Sequence, residues 1–484
     1  MMKLRQLLEG LDILETNADL EMEISGVSYD SRKTVPGDLF VAMAGYETDG
    51  HKFIPMARMK GALCTLCQVK PADEAPYVLV ADSRAALAQV GRNWYGDPAA
   101  SMTMVGVTGT NGKTTTTYLL KDILERGRGA KVGLIGTNQN MIGSEILPTE
   151  RTTPESFELQ GLFRRMADAG CTHVVMEVSS HALFLHRVAG VRFAVGIFTN
   201  LTQDHLDFHK TMEEYCDAKA MLFRMCDVGV YNGDDQWVAR LLSKATCDPV
   251  CIGRKRGADL TAQEIELAAD HIAFTAVTKE ECVPVRLGIP GEFMVYNALG
   301  VLAAAQALGV SLAESAEILR SSSSVKGRVE VVPTPGDYTM LIDYAHTPDA
   351  LENVLNSARG FAKGRVVVLF GCGGDRDKTK RPLMGGIAAK LADFVIVTSD
   401  NPRTESPSAI IADIVDGMIG TETDYVVVES RIDAIRFAID FAMPGDVIIL
   451  AGKGHETYQI IGKEKYPLDE REVVASYLKE KGLN

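Results

Sequence analysis

Short apolar runs closed by glycine turns alternate along the whole chain with longer stretches of helical periodicity. In the first hundred residues the apolar runs 38–43, 62–67 and 77–81 predict strands, and the stretch 83–95 predicts a helix. Gly96-Asp97-Pro98 is a turn signal, after which the run 102–107 predicts a buried strand that opens a new unit. There the order is strand, glycine loop, helix (113–125), strand (132–135), helix, strands (173–178 and 194–199) and helix (212–225), the order of a parallel-sheet nucleotide unit. A helix over 296–308 precedes the serines 321–324 and Lys326-Gly327-Arg328, which have linker composition. Beyond them, strands over 366–370, 394–398, 425–429 and 447–451, separated by helical stretches, predict a doubly wound sheet. The expected fold is α/β in three domains: a small α/β domain (1–98), a central P-loop ATPase-like parallel sheet (99–328) and a carboxyl-terminal Rossmann-like sheet (329–484).

Composition narrows this picture. A chain of 484 residues suits three domains at about 150 residues each, and 46% hydrophobic with 24% charged residues excludes a disordered chain. No apolar run approaches the roughly 18 residues that cross a bilayer, and the opening MMKLRQLLEGLDILE carries acids where a secretory signal stays apolar. A net charge of -14 repels polyanions, so nucleic acid is not an expected partner and any phosphate must be met locally. Nine cysteines lie singly or as the pair Cys64 and Cys67, without a second pair at zinc spacing. The expectation is a cytoplasmic monomer with reduced thiols.

The strongest local signal is the run Val105 to Thr114, VGVTGTNGKT, which follows a strand and opens a helix. Its glycines let backbone N–H groups approach phosphate oxygens, Lys113 suits the β and γ phosphates, and the Thr114 hydroxyl suits the shell of a Mg2+ ion. Val107 stands where the strict motif has its first glycine, so the loop is a variant. Glu177 ends the strand 173–178, at the sheet edge where ligands of open parallel sheets bind; a magnesium carboxylate and a solvated strand-end glutamate fit its position equally. His205 lies in the polar run that follows the strand 194–199, and a lone histidine there is more often structural than a metal ligand. Lys219, taken by itself, reads as a surface lysine. In the third domain, Asp343-Tyr344-Ala345-His346-Thr347-Pro348, the loop from Gly371 to Lys378, Asp400-Asn401-Pro402-Arg403 and Gly452-Lys453-Gly454-His455-Glu456 all fall at expected ligand-facing strand ends, which points to a shared crevice.

These motifs, in this order, resemble those of the Mur ligases over essentially the whole chain, and most closely those of the members that add the third amino acid of the peptidoglycan stem peptide. The resemblance implies an ATP-dependent, Mg2+-dependent amide ligation. In it the γ phosphate passes to the D-Glu carboxylate of UDP-N-acetylmuramoyl-L-Ala-D-Glu, and an amino acid then attacks the acyl phosphate. Catalysis would fall to Lys113, Glu177, His205, Lys219 and Lys378, with Lys378 reaching the γ phosphate from the third domain. Thr114 and Glu177 would hold one Mg2+, and Glu177, His205 and a carbamylated Lys219 (N6-carboxylysine) a second. ATP would lie on Thr108, Gly109, Thr110, Asn111, Gly112, Lys113 and Thr114, with its adenine and ribose on Asn297, Arg328 and Asp343. Tyr29, Ser31, Tyr46, Glu47 and Thr48 would take the uridine end of the sugar nucleotide, and Thr152, Thr153, Ser179 and Arg187 the muramoyl-dipeptide. Leu185 and Arg151 stand where some members carry glutamine and asparagine.

The resemblance also assigns the amino-acid site to Arg376, Asp400, Asn401, Pro402, Arg403, Gly452 and Glu456, a set matching the members that use meso-diaminopimelate. That substrate has one more carboxylate than L-Lys; a guanidinium at Arg403 can bind it bidentately and would repel the lysine ammonium. The competing readings are the same ligase using L-Lys, a folylpolyglutamate-type ligase, and a nucleotide-binding regulator without turnover.

Overall fold

The structure, a computed structural model, describes residues 1–45, 48–255, 257–268, 270–322 and 325–483. Among the described residues, three large sheets follow one another along the chain, beside two two-stranded ones. The first has five strands in the order Ile13–Thr16, Tyr77–Val80, Cys64–Cys67, Asp38–Val41 and Gly26–Ser28. Helix Ser83–Tyr95 covers it, started by the Asp82 carboxylate, which accepts from the N–H groups of Arg84 and Ala85, and stopped by Gly96 at φ 72°.

The central sheet has eleven strands. Its parallel middle runs Val132–Ile135, His173–Glu177, Thr103–Thr108, Phe193–Phe198, Cys226–Asn232, Asp248–Gly253 and Leu260–Leu267, with antiparallel pairs of strands at both ends. Register decides what meets at the carboxyl edge: Glu177 pairs with Val107 and Phe198 with Thr108, so the loop after Thr108 is flanked by Glu177 on one side and Thr199 on the other. Helix Phe293–Ala307 is apolar around nearly its whole circumference and is buried to match, packed against this sheet and against helix Lys113–Arg128.

The third sheet is parallel except for its first strand and runs Glu330–Val332, Thr339–Asp343, Val447–Ala451, Val366–Phe370, Phe394–Val397 and Asp424–Val427. The fully buried run Val366–Phe370 lies inside it, as a doubly covered strand requires. One apolar cluster continues from the central sheet (Val107, Ile197, Leu299) into the third domain (Leu351, Val354, Phe370), so the two domains share packing.

The carboxyl edge of the third sheet is fixed by a charge pair with no exposure on either side. Arg431 donates from Nε to Glu470 Oε1 at 2.9 Å and from Nη2 to the carbonyl of Ala451 at 2.8 Å, immediately before Gly452. Burial pushes the Glu470 carboxyl up and Arg431 opposes it. Removing one partner strands the other in a low-dielectric interior. Arg431→Met is therefore expected to lower stability by about 3–5 kcal/mol, measured as a reduced urea midpoint of the third-domain transition; an unchanged midpoint contradicts this assignment.

Candidate functional site

The phosphate-loop run closes into a tight turn whose glycines have no substitute. Gly109 has φ 145°, and a Cβ there would stand 1.9 Å from Thr199 Oγ1; Gly112 has φ 87°, and its Cβ would stand 2.3 Å from Asn297 Oδ1. The loop is tied to the neighbouring strand end, because Thr110 N–H donates to Asn200 O and Asn111 N–H to Asn200 Oδ1, each at 2.9 Å. Lys113 donates from Nζ to the carbonyls of Gly109 (3.0 Å) and Thr110 (2.9 Å). Its burial lowers its proton affinity, while Glu177 and Asp204 raise it.

Glu177 is fully buried, and both its oxygens are held by Thr137: Oε1 accepts the backbone N–H and Oε2 the hydroxyl, each at 2.9 Å. Thr152 lies against the Thr137 hydroxyl at 3.0 Å, and Thr153 donates to the Glu177 carbonyl at 2.8 Å. Lys219 overturns its sequence reading as a surface side chain. It is 1% exposed, lies over the Tyr215 ring and donates to the Gly109 carbonyl at 2.8 Å, the same oxygen that Lys113 reaches. Burial, followed by the neighbouring Lys113 charge, holds its proton affinity well below that of an ordinary lysine. His205, at φ 54°, pairs with Asp204 at 3.3 Å and meets the His181 ring edge-on.

These residues line a cleft of about 310 Å3 between the central and third domains. Thr110, Asn111, Gly112, Lys113, Thr114, Thr152, Glu177, Ser179, His205, Asn297, Arg328 and Asp343 all face it. Thr108 is buried in the strand before it. Arg328 bridges the two sides, donating to Thr114 Oγ1 at 3.2 Å and lying over the Tyr344 ring. Asp343 accepts from the N–H groups of Val329 and Ala345, each at 2.8 Å, and burial pushes its carboxyl up against the pull of Arg328. Two contributors escaped the sequence reading. Thr137 follows a strand at the same sheet edge, which is the signal that could have found it. Asp349, one residue beyond the quoted Asp343 motif, accepts from Asn111 Nδ2 (2.5 Å), Thr202 Oγ1 (2.8 Å) and Asn353 Nδ2 (3.1 Å), joining the phosphate loop to the third domain.

The other predicted residues form two flanking groups. At the seam with the first domain, the Tyr29 hydroxyl donates to Glu158, Ser31 Oγ lies 3.4 Å from Met56 Sδ, and Thr48 is exposed; Tyr46 and Glu47 fall outside the described residues. Arg187 donates to the Thr153 carbonyl at 3.1 Å and, with Arg84 and Arg151, surrounds the buried Glu155 at 3.3, 3.7 and 3.9 Å respectively.

In the third domain, Asp400 and Asn401 are buried, while Arg403, at φ 51°, donates from Nη1 to the Gly374 carbonyl at 2.8 Å. Pro402 O faces Gly374, where a Cβ would stand 1.9 Å away, and Gly452, at φ 111°, presses on Asp400 Oδ2. Asn401 Nδ2 donates to Glu456 at 2.9 Å. Arg376 is exposed on the same loop as Lys378, whose Nζ lies 3.0 Å from Glu405. Arg381, the Asp375 N–H and Lys378 hold that glutamate at about 2.

Among the described residues no three His, Cys, Asp or Glu side chains gather closely enough to hold a metal by themselves. The donor chemistry nonetheless suits a hard cation: a buried carboxylate and a threonine hydroxyl beside a phosphate loop leave phosphate oxygens to complete the shell.

Family comparisons agree with this arrangement along the chain. Residues 23–95 match the Mur ligase family catalytic domain, 107–305 the Mur ligase middle domain and 327–454 the Mur ligase glutamate ligase domain. A UDP-N-acetylmuramoyl-L-alanyl-D-glutamate--2,6-diaminopimelate ligase of Clostridium botulinum is 47% identical, over 95% of this chain and 96% of its own. The ligase of the same name from Caldanaerobacter subterraneus is 47% identical over 99% of both. A solved structure of a ligase with that name superposes with a TM-score of 0.73 at 30% identity, covering both chains fully. MurF from Acinetobacter baumannii shares the fold at TM-score 0.65 and 20% identity. A chain with these three matched segments, and with relatives this similar along its full length, belongs to the Mur ligase family.

Proposed function

We propose that this protein is an ATP-dependent ligase of peptidoglycan synthesis that joins meso-diaminopimelate to the D-Glu carboxylate of UDP-N-acetylmuramoyl-L-Ala-D-Glu. The observation that carries the reading is the continuity of one cleft from the phosphate loop, through Glu177, to the Asp343 loop of the third domain, with the Asp400–Arg403 loop at the same carboxyl edge of that sheet, three strands along. The names of the full-length relatives support the substrate choice.

In this reading the substrate carboxylate oxygen attacks the γ phosphorus of ATP, the bond to the β-phosphate oxygen breaks, and ADP leaves. The neutral amine of diaminopimelate then adds to the acyl carbon, and the tetrahedral adduct loses a nitrogen proton to solvent and expels phosphate to leave the amide. Lys113 gives up its loop carbonyls for the β and γ phosphates, and the loop N–H groups cradle them. Bound Mg2+ would neutralise phosphate charge. Thr114, Glu177 and His205, with Lys219 as its carbamate, would hold it. Asn297, Arg328 and Asp343 take the adenosine, and Lys378 exchanges Glu405 for the γ phosphate as the third domain closes. The uridine end lies on Tyr29, Ser31 and Thr48 in domain 1–98, and the dipeptide on Thr152, Thr153, Ser179 and Arg187 in domain 99–328. Domain 329–484 brings the amino acid to Arg376, Asp400 to Arg403, Gly452 and Glu456. Water is kept from the acyl phosphate because the Asp349 bridge holds the phosphate loop against the third domain.

Two outcomes test this. With ATP, Mg2+ and the UDP-muramoyl-dipeptide, phosphate release is expected with meso-diaminopimelate and not with L-Lys or without an amino acid; release with L-Lys alone overturns the assignment of Arg403. A Lys219 amine with depressed proton affinity is nucleophilic toward CO2, so Lys219→Ala is expected to lose at least about 100-fold in kcat. Wild-type activity should fall on bicarbonate depletion and return on its addition, and full activity of Lys219→Ala contradicts the carbamate.

A further inference from the structure

The functional reading leaves the buried charge of Lys453 without a role. Lys453 is 0% exposed, and its Nζ meets Glu456 Oε2 at 2.9 Å, Asn401 Oδ1 at 3.0 Å and Asp400 Oδ1 at 3.6 Å, with the Tyr458 ring 5.8 Å away. Every polar group it touches belongs to the amino-acid loop or to Glu456. An isolated ammonium buried this completely is costly, and it persists only where fixed partners compensate it. Compensation works in both directions. Asp400 is buried too, and Lys453, with Arg431 behind it, keeps that carboxyl below its usual range against the cost of burial.

Geometry makes this hub more than core filling. Asn401 is locked from three sides: Oδ1 accepts from Lys453 and from Ile460 N–H (2.9 Å), while Nδ2 donates to Glu456. Among the described residues Glu456 therefore takes its side-chain bonds, from Lys453 and Asn401, on Oε2, which leaves Oε1 as the acceptor to offer an amine. The backbone around Lys453 is equally constrained. A Cβ at Gly452 would stand 2.6 Å from Asp400 Oδ2 and one at Gly454, φ 52°, 2.7 Å from Tyr344 Cβ, so the loops on either side leave room only for glycine around the lysine.

We infer that Lys453 is a positioning residue for the amino-acid substrate: it touches no reacting atom and fixes Glu456 and the Asp400–Asn401 loop in the orientation that receives the distal ammonium. The inference rests on the assignment of this loop to the amino acid. Truncating one member of a buried, hydrogen-bonded charge set leaves the others unpaired, so the defect should fall on one substrate.

The experiment compares wild type, Lys453→Met and Lys453→Gln by steady-state kinetics with each substrate varied in turn. For Lys453→Met, KM for diaminopimelate is expected to rise about 30-fold or more, with KM for ATP and for UDP-muramoyl-dipeptide within about twofold of wild type. Lys453→Gln, which keeps an N–H donor for Glu456, is expected to show a smaller rise. A diaminopimelate KM within about twofold of wild type in a folded variant, or a parallel rise in all three KM values, overturns the proposal. Failure of both variants to fold assigns Lys453 to the fold alone and overturns it as well. A wild type that turns over L-Lys instead overturns the substrate reading separately, and the same ratios are then read with L-Lys.

Discussion

The half-buried Lys113 and the buried Lys219 donate to one carbonyl oxygen, that of Gly109, and the rest of the site is organised around that crowding. Two ammonium groups sharing one acceptor repel each other in a poorly solvated setting, and Lys219, the more deeply buried, is the one whose charged form suffers more. In the proposed reaction two arrivals would resolve the conflict. Phosphate would draw Lys113 away from the loop, and carbamylation would turn Lys219 from a cation into an anion that a divalent ion can accept. The net charge of -14 is then no obstacle to anionic substrates, because screening confines the far surface while the cleft sets the local field.

The second organising feature is the joining of sheets through their carboxyl edges. Asp349 clasps Asn111 and Thr202, Arg328 reaches Thr114, and one apolar core continues beneath both contacts. The nucleotide loop and the loops of the third domain are therefore tied to one another by direct hydrogen bonds. Behind the Asp400–Arg403 loop, the pair Arg431–Glu470 and the hub at Lys453 form a buried charge network that ends at Asp400 and Glu456. On the proposed reading, selectivity for an amino acid with a distal carboxylate would follow from a site whose own charges are already fixed.

Much of this was legible in the chain, and what was missed has a common cause. The strand over 102–107 appears as Thr103–Thr108 and the loop after it is where the glycine spacing places it, because both depend on local chemistry. The helix expected over 212–225 stops at Ala220 and continues as the 3-10 turn Met221–Arg224. That turn seats Leu222 and Phe223 beneath Gly106 and Gly229, where a Cβ would stand 2.9 and 2.6 Å from them, a fit between distant residues that no periodicity encodes. The strands Leu260–Leu267, Ile272–Val277 and Cys282–Leu287 escape the sequence reading for a similar reason: the two outer ones carry charges on partly exposed faces, and they gain order by pairing with the uncharged strand Ile272–Val277 between them. Lys219 reads as a surface side chain until the fold sets it under Gly109, whereas Asp349 lay one residue past a motif already in view.

The measurement that reaches the centre of this account is the fate of the substrate carboxylate oxygen. UDP-muramoyl-dipeptide labelled with 18O in the D-Glu carboxylate, incubated with ATP, Mg2+ and diaminopimelate, is predicted to transfer one labelled oxygen to each phosphate released, as an acyl phosphate requires. Tripeptide formed with unlabelled phosphate would contradict it.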